Sequence, residues 1–404
     1  MSASGIFAGV RILEFGSGAA GPVATRYFAE QGARVIRVES AKRPDFLRLL
    51  HGPDPDAAPM FALLNPDKES VALNLAEPAA REIAERLVDW ADVVAENFSP
   101  GVMARLGLDP ERLRETRPQL ITVSGCLFGQ TGPQRAYPGF GGQGAAIAGF
   151  NHLTGWPDRE AVGPYATITD SLSPRYVALA VAAALLERRR TGLGRAIDLS
   201  QIETGVFSLS EMIVRQSAGA PEAMRRGNHC EYAAPHAVYP CRGDDRWIAI
   251  AVFDDAQWLA LRGVLDECEG GDDWGGDERF STVAGRLAHE DEIDGRIADR
   301  TRDRDPRELM HSLQSAGVEA GVVQNFDDVL NDPQLAHRDH FQKLTHPRLG
   351  ELSFERSALR FSENPGSVAR PGPLLGEHTR VVLKEILGAS PEQIDRWIRD
   401  EVLV

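Results

Sequence analysis

Apolar runs of strand length alternate with helical stretches through the first half of this sequence, and no other feature limits its fold so sharply. Residues 10–15, 32–39, 70–75, 92–98, 119–124 and 195–200 are such runs, weighted toward Val, Ile, Leu and Ala. Between the early ones, residues 23–31 and 78–90 carry helical periodicity. Near-continuous apolar strands joined through helices mean a parallel sheet covered on both faces, because each parallel pair needs a crossover. The expected fold class is α/β, with a Rossmann-like doubly wound parallel sheet in a large domain. Ligands of such sheets sit at the carboxyl ends of strands, where three loops qualify: 16–21, 96–101 and 125–133.

The first loop places Gly16, Gly18 and Gly21 in the spacing G-x-G-x-x-G after a strand and before a helix. Glu39 ends the next strand, where a dinucleotide-binding protein keeps its ribose-binding acid. Read literally, this is a NAD site. Pro22 follows the last glycine at once, however, and no His/Lys pair for hydride handling appears downstream. The fold is kept from this motif, and the cofactor is not.

A second organising stretch is Thr167-Ile168-Thr169-Asp170-Ser171-Leu172-Ser173-Pro174, followed by an unbroken apolar helix that ends in Glu187-Arg188-Arg189-Arg190. The cations match the negative end of the helix dipole. Asp170 therefore stands at a helix start, with Pro174 expected in the first turn. An aspartate there is either an N-cap or an ionised carboxylate nucleophile, held charged by backbone N–H groups. Local pattern does not choose between the two.

The chain has 404 residues, which favours two domains. A formal charge of −15, spread along the chain, argues against nucleic acid as a partner. Cys126, Cys230, Cys241 and Cys268 form no CxxC pair and no zinc spacing, so no metal site is expected; reduced thiols in a cytoplasm are the reading. Cys126 reads as a small buried hydrophobe. No signal-peptide pattern is seen, and the helix after Asp170 is too short and ends too basic to span a bilayer, so no membrane partner is expected.

Residues 125–155 are glycine-rich and poor in secondary-structure signal, which suits a segment packed close to a ligand. A long helix is expected over 201–216, and Asp198 and Glu203 beside it read as structural. Composition shifts near Gly219; a hairpin at 237–241 and 246–252, then helices, then a strand at 317–323 make a smaller α+β domain. The expected divisions are a large domain at 1–218, a small domain with connectors at 219–325, and a C-terminal return at 326–404 that ends in an amphipathic helix.

Several separated stretches share one resemblance. They are residues 9–15 with Ala20-Gly21-Pro22, residues 32–39, residues 91–98 with Pro100-Gly101, Phe128-Gly129-Gln130-Thr131-Gly132-Pro133, and the Asp170 segment with Thr191-Gly192 and Gly194. Residues 316–333 and 372–379 fit later on. In these the chain resembles the family III CoA-transferases (CaiB/BaiF family), which include formyl-CoA transferase, carnitine CoA-transferases and α-methylacyl-CoA racemase. The resemblance implies transfer of coenzyme A from an acyl-CoA to a carboxylic acid, with acyl-CoA as substrate and no permanently bound cofactor. It places the carboxylate nucleophile on Asp170 and coenzyme A contacts on Gly18, Ala19, Leu73, Asn97, Phe98, Arg105 and Arg135. It also implies an interlocked homodimer in which each chain forms a ring, or a heteromer with a related chain. Residues 141–156 are most similar to the branch containing succinyl-CoA:benzylsuccinate CoA-transferase. Residues 228–236 lack the four-glycine flap of formyl-CoA transferase, leaving His229 and His236 as candidate acid/base or positioning groups. A racemase is the rival within the fold; racemases carry Gly-His-Asp before the glycine-rich loop, where this chain has Tyr137-Pro138-Gly139-Phe140-Gly141.

Overall fold

The first strand, β1 (Arg11–Phe15), buries four of its five residues, as a strand covered on both faces must. Around it, in the computed structural model, lie β2 (Arg34–Glu39), β3 (Glu69–Ala72), β4 (Val93–Glu96), β5 (Ile121–Cys126) and β6 (Ala196–Ser200), in the order β3-β2-β1-β4-β5-β6. All five pairings are parallel. The expected doubly wound sheet is present, and its order reverses between β1 and β4. The structure describes residues 5–266, 274–363 and 366–404; Cys268 lies outside them.

Two apolar cores cover the faces of the sheet. One packs the helix Pro78–Trp90 and the C-terminal helices Thr379–Leu387 and Pro391–Arg399 on Leu13, Ile36, Val71 and Val94. The other packs the helices Ala20–Ala29 and Ile168–Thr191 on Ile12, Val35, Val93 and Val123. The outer edge of the sheet at β3 is closed by the segment that leads into the C-terminal helices. Ser70 N–H donates to His378 Nδ1 at 3.3 Å, Ala72 N–H donates to Thr379 Oγ1 at 2.9 Å, and His378 N–H donates to the Ser70 carbonyl at 2.9 Å. An unpaired strand edge is thereby occupied by side chains.

Compactness divides the chain into a larger unit of residues 1–152, 163–223 and 333–404 and a smaller unit of residues 153–162 and 224–332. The smaller unit has an antiparallel sheet of β7 (His236–Pro240), β8 (Trp247–Ala251) and β9 (Glu319–Val323). Helices including Asp255–Asp266 and Pro306–Ser315 build its core with Trp258, Phe280 and Leu313.

Four local expectations change. The glycine-rich segment contains helices, Gly141–Ala148 and Phe150–Leu153. The helix from Gln201 stops at Ser208, and a second runs from Ser210 to Ser217. Pro174 lies inside the helix Ile168–Thr191, beyond its first turn. An unforeseen hairpin, Phe341–His346 with Gly350–Glu355, lies in the C-terminal segment.

Candidate active site

The sheet order opens a crevice beyond the carboxyl ends of β1 and β4, where ligands of open α/β sheets bind. The 16–21 loop follows β1 and Asn97 follows β4. Asn97 clasps the loop with both ends of its amide: Oδ1 accepts from Ser17 N–H at 3.0 Å, and Nδ2 donates to the Ser17 carbonyl at 2.8 Å. A Cβ on Gly16 would lie 2.2 Å from Asn97 Oδ1, and one on Gly21 2.9 Å from Asn97 Cγ. The glycine spacing is therefore accounted for within the protein, by the inserted amide.

A buried ionic network holds the same loop from below. Arg37 Nη2 donates to the Gly16 carbonyl at 3.0 Å and pairs with Asp45; Asp45 accepts from the Gly18 N–H at 3.0 Å. Arg37 also pairs with Glu14, which takes Lys68 Nζ at 2.8 Å. Burial alone would raise the Glu14 carboxyl, but Lys68 and Arg37 outweigh it and hold it at about 2. Burial brings the Lys68 ammonium down to about 8. Glu39, at the position of a dinucleotide site's ribose acid, is taken up in the same layer: both its oxygens receive Arg48 at 2.8 Å, and Oε1 accepts from Ser70 Oγ at 2.7 Å.

The expected coenzyme A contacts fall in different settings. Gly18 and Ala19 lie on the clasped loop, and half-buried Phe98 follows Asn97, its N–H donating to Glu96 Oε2 at 2.8 Å. Arg105 is exposed at the end of the short helix Val102–Arg105 that follows. Leu73 is 1% exposed, and its side chain belongs to the core. Exposed Arg135 lines a polar cavity of about 310 Å³ with Phe128, Asp198 and Glu203. Asp198, in that lining, accepts from the Gln130 N–H at 3.0 and 3.1 Å.

Asp170 sits where three helices converge. Thr167 occupies the N-cap position of the helix Ile168–Thr191, so Asp170 is not the cap but lies in the first turn. Its Oδ1 accepts from Gln201 Nε2 at 3.0 Å, at the start of the helix Gln201–Ser208. Its Oδ2 lies over Gly141, the first residue of the third helix; a Cβ there would be 2.5 Å from that oxygen. Thr169 Oγ1 donates to the Gly141 carbonyl at 3.0 Å. Glycines allow the close approach: a Cβ on Gly144 would meet Thr169 Oγ1 at 2.7 Å, and one on Gly205 would meet the Ala148 Cβ at 2.8 Å. Pro174 stands four residues after Asp170 and has no N–H to give its carbonyl.

Burial pushes the Asp170 carboxyl up, and the Thr167 hydroxyl and Gln201 amide offset only part of this. The helix-start pattern predicts a carboxylate held charged by backbone N–H groups; in the fold desolvation is the larger influence. Contacts run from Asp170 to the crevice. Phe140, next to Gly141, meets Phe46 at 5.7 Å between ring centroids, and Phe46 covers Gly18.

Gln201, Gly141 and Asp45 were not singled out from sequence. Gln201 directly follows β6, and residues at strand carboxyl ends deserve that scrutiny. His229 and His236 both belong to the smaller unit and both have ring partners. His229 Nε2 meets Asp294 Oδ2 at 2.7 Å, and His236 Nδ1 meets the Asn228 carbonyl at 2.6 Å. Cys126 is buried as expected, its thiol raised by burial to about 11.

The family model for CoA-transferase family III matches residues 7–379. The chain belongs to that family. It is 33% identical over 387 residues to a succinyl-CoA–D-citramalate CoA-transferase of Chloroflexus aurantiacus, covering 95% of each chain. It is 30% identical to the human succinyl-CoA:glutarate CoA-transferase, covering 94% of this chain and 85% of the relative. A CAIB/BAIF family protein from Brucella suis has the same fold, with a TM-score of 0.85, 29% identity, and coverage of 95% of this chain and 100% of its own. This CoA-transferase is an enzyme of the α/β class built on a six-stranded parallel sheet. Among its described residues no helix is long and apolar enough to cross a membrane.

Proposed function

We propose that this CoA-transferase moves coenzyme A from a succinyl-type thioester to a second carboxylic acid, with Asp170 as the covalent carrier. The observation that carries the reading is the desolvated Asp170 carboxylate, held by neutral donors and joined through Phe140 and Phe46 to the crevice. A carboxylate suits the task because its anhydride and thioester are both activated enough to pass the group on. An Asp170 oxygen attacks the thioester carbon, the C–S bond breaks, and coenzyme A leaves as thiolate. The thiolate attacks Asp170 Cγ, forming a C–S bond, and the donor acid leaves as carboxylate. The acceptor carboxylate then attacks Cγ and expels the thiolate, which takes the acceptor acyl carbon and restores Asp170. No proton or electron is gained or lost in the cycle.

In this reading Gly18, Ala19, Asn97 and Phe98 frame the thioester arm of coenzyme A, and Leu73 contributes backbone only. Arg105 and Arg135 present exposed guanidinium groups suited to its phosphates. The relatives named for citramalate and glutarate support small aliphatic dicarboxylic acceptors rather than the aromatic-substituted benzylsuccinate. Another relative is named as the beta subunit of a succinyl-CoA–L-malate CoA-transferase, which supports a second reading in which this chain works with a related one. Otherwise an interlocked homodimer is the proposed assembly, and sedimentation at nanomolar concentration should still show a dimer.

The test is incubation with succinyl-CoA, trapping with hydroxylamine or borohydride, and peptide mass spectrometry. The expected adduct is on Asp170. A stable adduct elsewhere would sink the reading, and activity recovered only with a second chain would establish the two-chain form.

A further inference from the structure

We propose that Gln201 is a positioning residue for Asp170, whose amide also stabilises the oxyanion at Cγ each time the aspartyl group is attacked. The inference rests on the reading of Asp170 as nucleophile. Gln201 is 7% exposed, and its Nε2 lies 3.0 Å from Asp170 Oδ1. A carboxylate can only accept, so the amide must present its NH₂ group there. The amide is set on a fixed base. Ser200 caps the helix by accepting from Glu203 N–H, Ser200 Oγ donates to the Leu127 carbonyl at 3.2 Å, and Ile202 N–H donates to that same carbonyl at 3.1 Å. Gly205, in the same helix, lies against Ala148 and Thr169.

In this proposal Oδ1 keeps the Gln201 amide and Oδ2, over Gly141, bonds to the acyl carbon, the Thr167 hydroxyl being the carboxylate's other donor. Oδ1 then becomes the carbonyl oxygen of the anhydride and of the aspartyl thioester. When thiolate or acceptor carboxylate adds to Cγ, the C=O electron pair moves onto Oδ1. The Gln201 N–H is already at the distance an oxyanion donor needs, 2.7–3.1 Å in general. When the tetrahedral species collapses, that pair returns to form the C=O bond and the leaving oxygen or sulfur departs. The same hydrogen bond favours the ionised form of Asp170 before the cycle starts.

The experiment compares Gln201→Met, Gln201→Glu and Asp170→Asn across pH in the full-length enzyme with succinyl-CoA as donor, thermal melts serving as the folding control. For Gln201→Met, kcat should fall by about 100-fold, as for loss of one oxyanion donor. KM for the thioester should stay within about threefold, and the acid limb of kcat/KM should move up by about half a pH unit or more, since a donor to the carboxylate is gone. Gln201→Glu is isosteric and tests the donor directly. It donates only while its carboxyl is protonated, so its activity should be confined to the acid side and vanish at alkaline pH, where the parent enzyme holds its rate. A Gln201→Met enzyme within threefold of the parent kcat and with an unmoved acid limb would overturn the proposal, as would a Gln201→Glu enzyme that keeps its rate at alkaline pH. An active Asp170→Asn enzyme would instead overturn the nucleophile reading beneath it.

Discussion

Glu14 and Asp170 are both carboxylates withdrawn from water within the larger unit, yet their surroundings drive them in opposite directions. Glu14 has Lys68 and Arg37 beside it and is held at about 2. Asp170 has a hydroxyl and an amide, and burial raises it. Desolvation acts on both; the difference is a cation within reach. A neutralised carboxylate is a structural part, here the support of the 16–21 loop through Arg37. A desolvated carboxylate held only by neutral donors is what the proposed nucleophile requires. Arg37 and Lys68 thus serve the floor of the crevice, whereas the groups that hydrogen-bond to Asp170 are neutral and the backbone beside it is glycine.

Substitutions can break this contrast from either side. Asp170→Asn should lower transfer by about 10⁴-fold or more, the scale of losing a covalent nucleophile. A carboxylate raised by burial costs the fold free energy above its folded pKa, so the neutral amide should leave Tm unchanged or higher. A melt that drops by many degrees would make Asp170 a structural group. Next in size, Lys68→Met strands the Glu14 charge beside Arg37 alone and should destabilise the protein by about 3–5 kcal/mol in denaturant titrations. Adding Glu14→Gln should recover much of that loss; a full additive loss would mean the pair is not coupled. Gly141→Ala would place a Cβ 2.5 Å from Asp170 Oδ2 and displace the carboxylate. Its kcat should fall by about 10- to 100-fold with coenzyme A binding retained, since misplacement by about an ångström costs that much. Asn97→Ala removes both bonds to Ser17 and should raise the KM for the thioester by about three- to tenfold, two hydrogen bonds of about 1 kcal/mol being partly replaced by water.

The smallest effect is the most direct comparison of the two carboxylates. Glu14 is depressed in the folded protein, so its contribution is present above the unfolded value of about 4.5 and lost as pH falls toward about 2. Asp170 is raised, so the acid limb of kcat/KM should lie above the ordinary aspartate value of about 3.9. A pH titration should therefore find a window in which transfer has failed while the near-UV dichroism is still native. Coincident loss of both signals would remove the contrast.

The parallel sheet was legible because its strands are apolar-rich runs separated by helical stretches, residues 10–15 and 92–98 among them. The strand-end loops at 16–21 and 96–101 were legible for the same reason, whereas the order that puts β1 beside β4 came from the fold. The helix Gly141–Ala148 was not legible. Its glycines lower helix propensity and read as loop, whereas in the fold Gly141 and Gly144 let Asp170 and Thr169 approach at distances no side chain permits. The hairpin Phe341–His346 with Gly350–Glu355 was missed because its alternation is largely polar and half-exposed. Asp170 stood out through its helix start and a family resemblance. Gln201 did not, because tertiary packing alone decides which carboxylate a buried amide will meet. What Glu39 does instead of meeting a ribose was equally hidden, since its partner Arg48, nine residues away, is spelled out by no motif.

The clasp on β3 also orders events in time. Ala72 waits for a hydroxyl 307 residues further along the chain, and Ser70 for an imidazole 308 residues away. During synthesis from the N-terminus the outer strand of the sheet must exist with its amides unsealed while the whole of the smaller unit is still being made. A nascent chain halted before residue 378 offers a template for any stray strand, so ribosome-bound truncations ending there should recruit holdase chaperones, whereas those extended past the C-terminal helices should not.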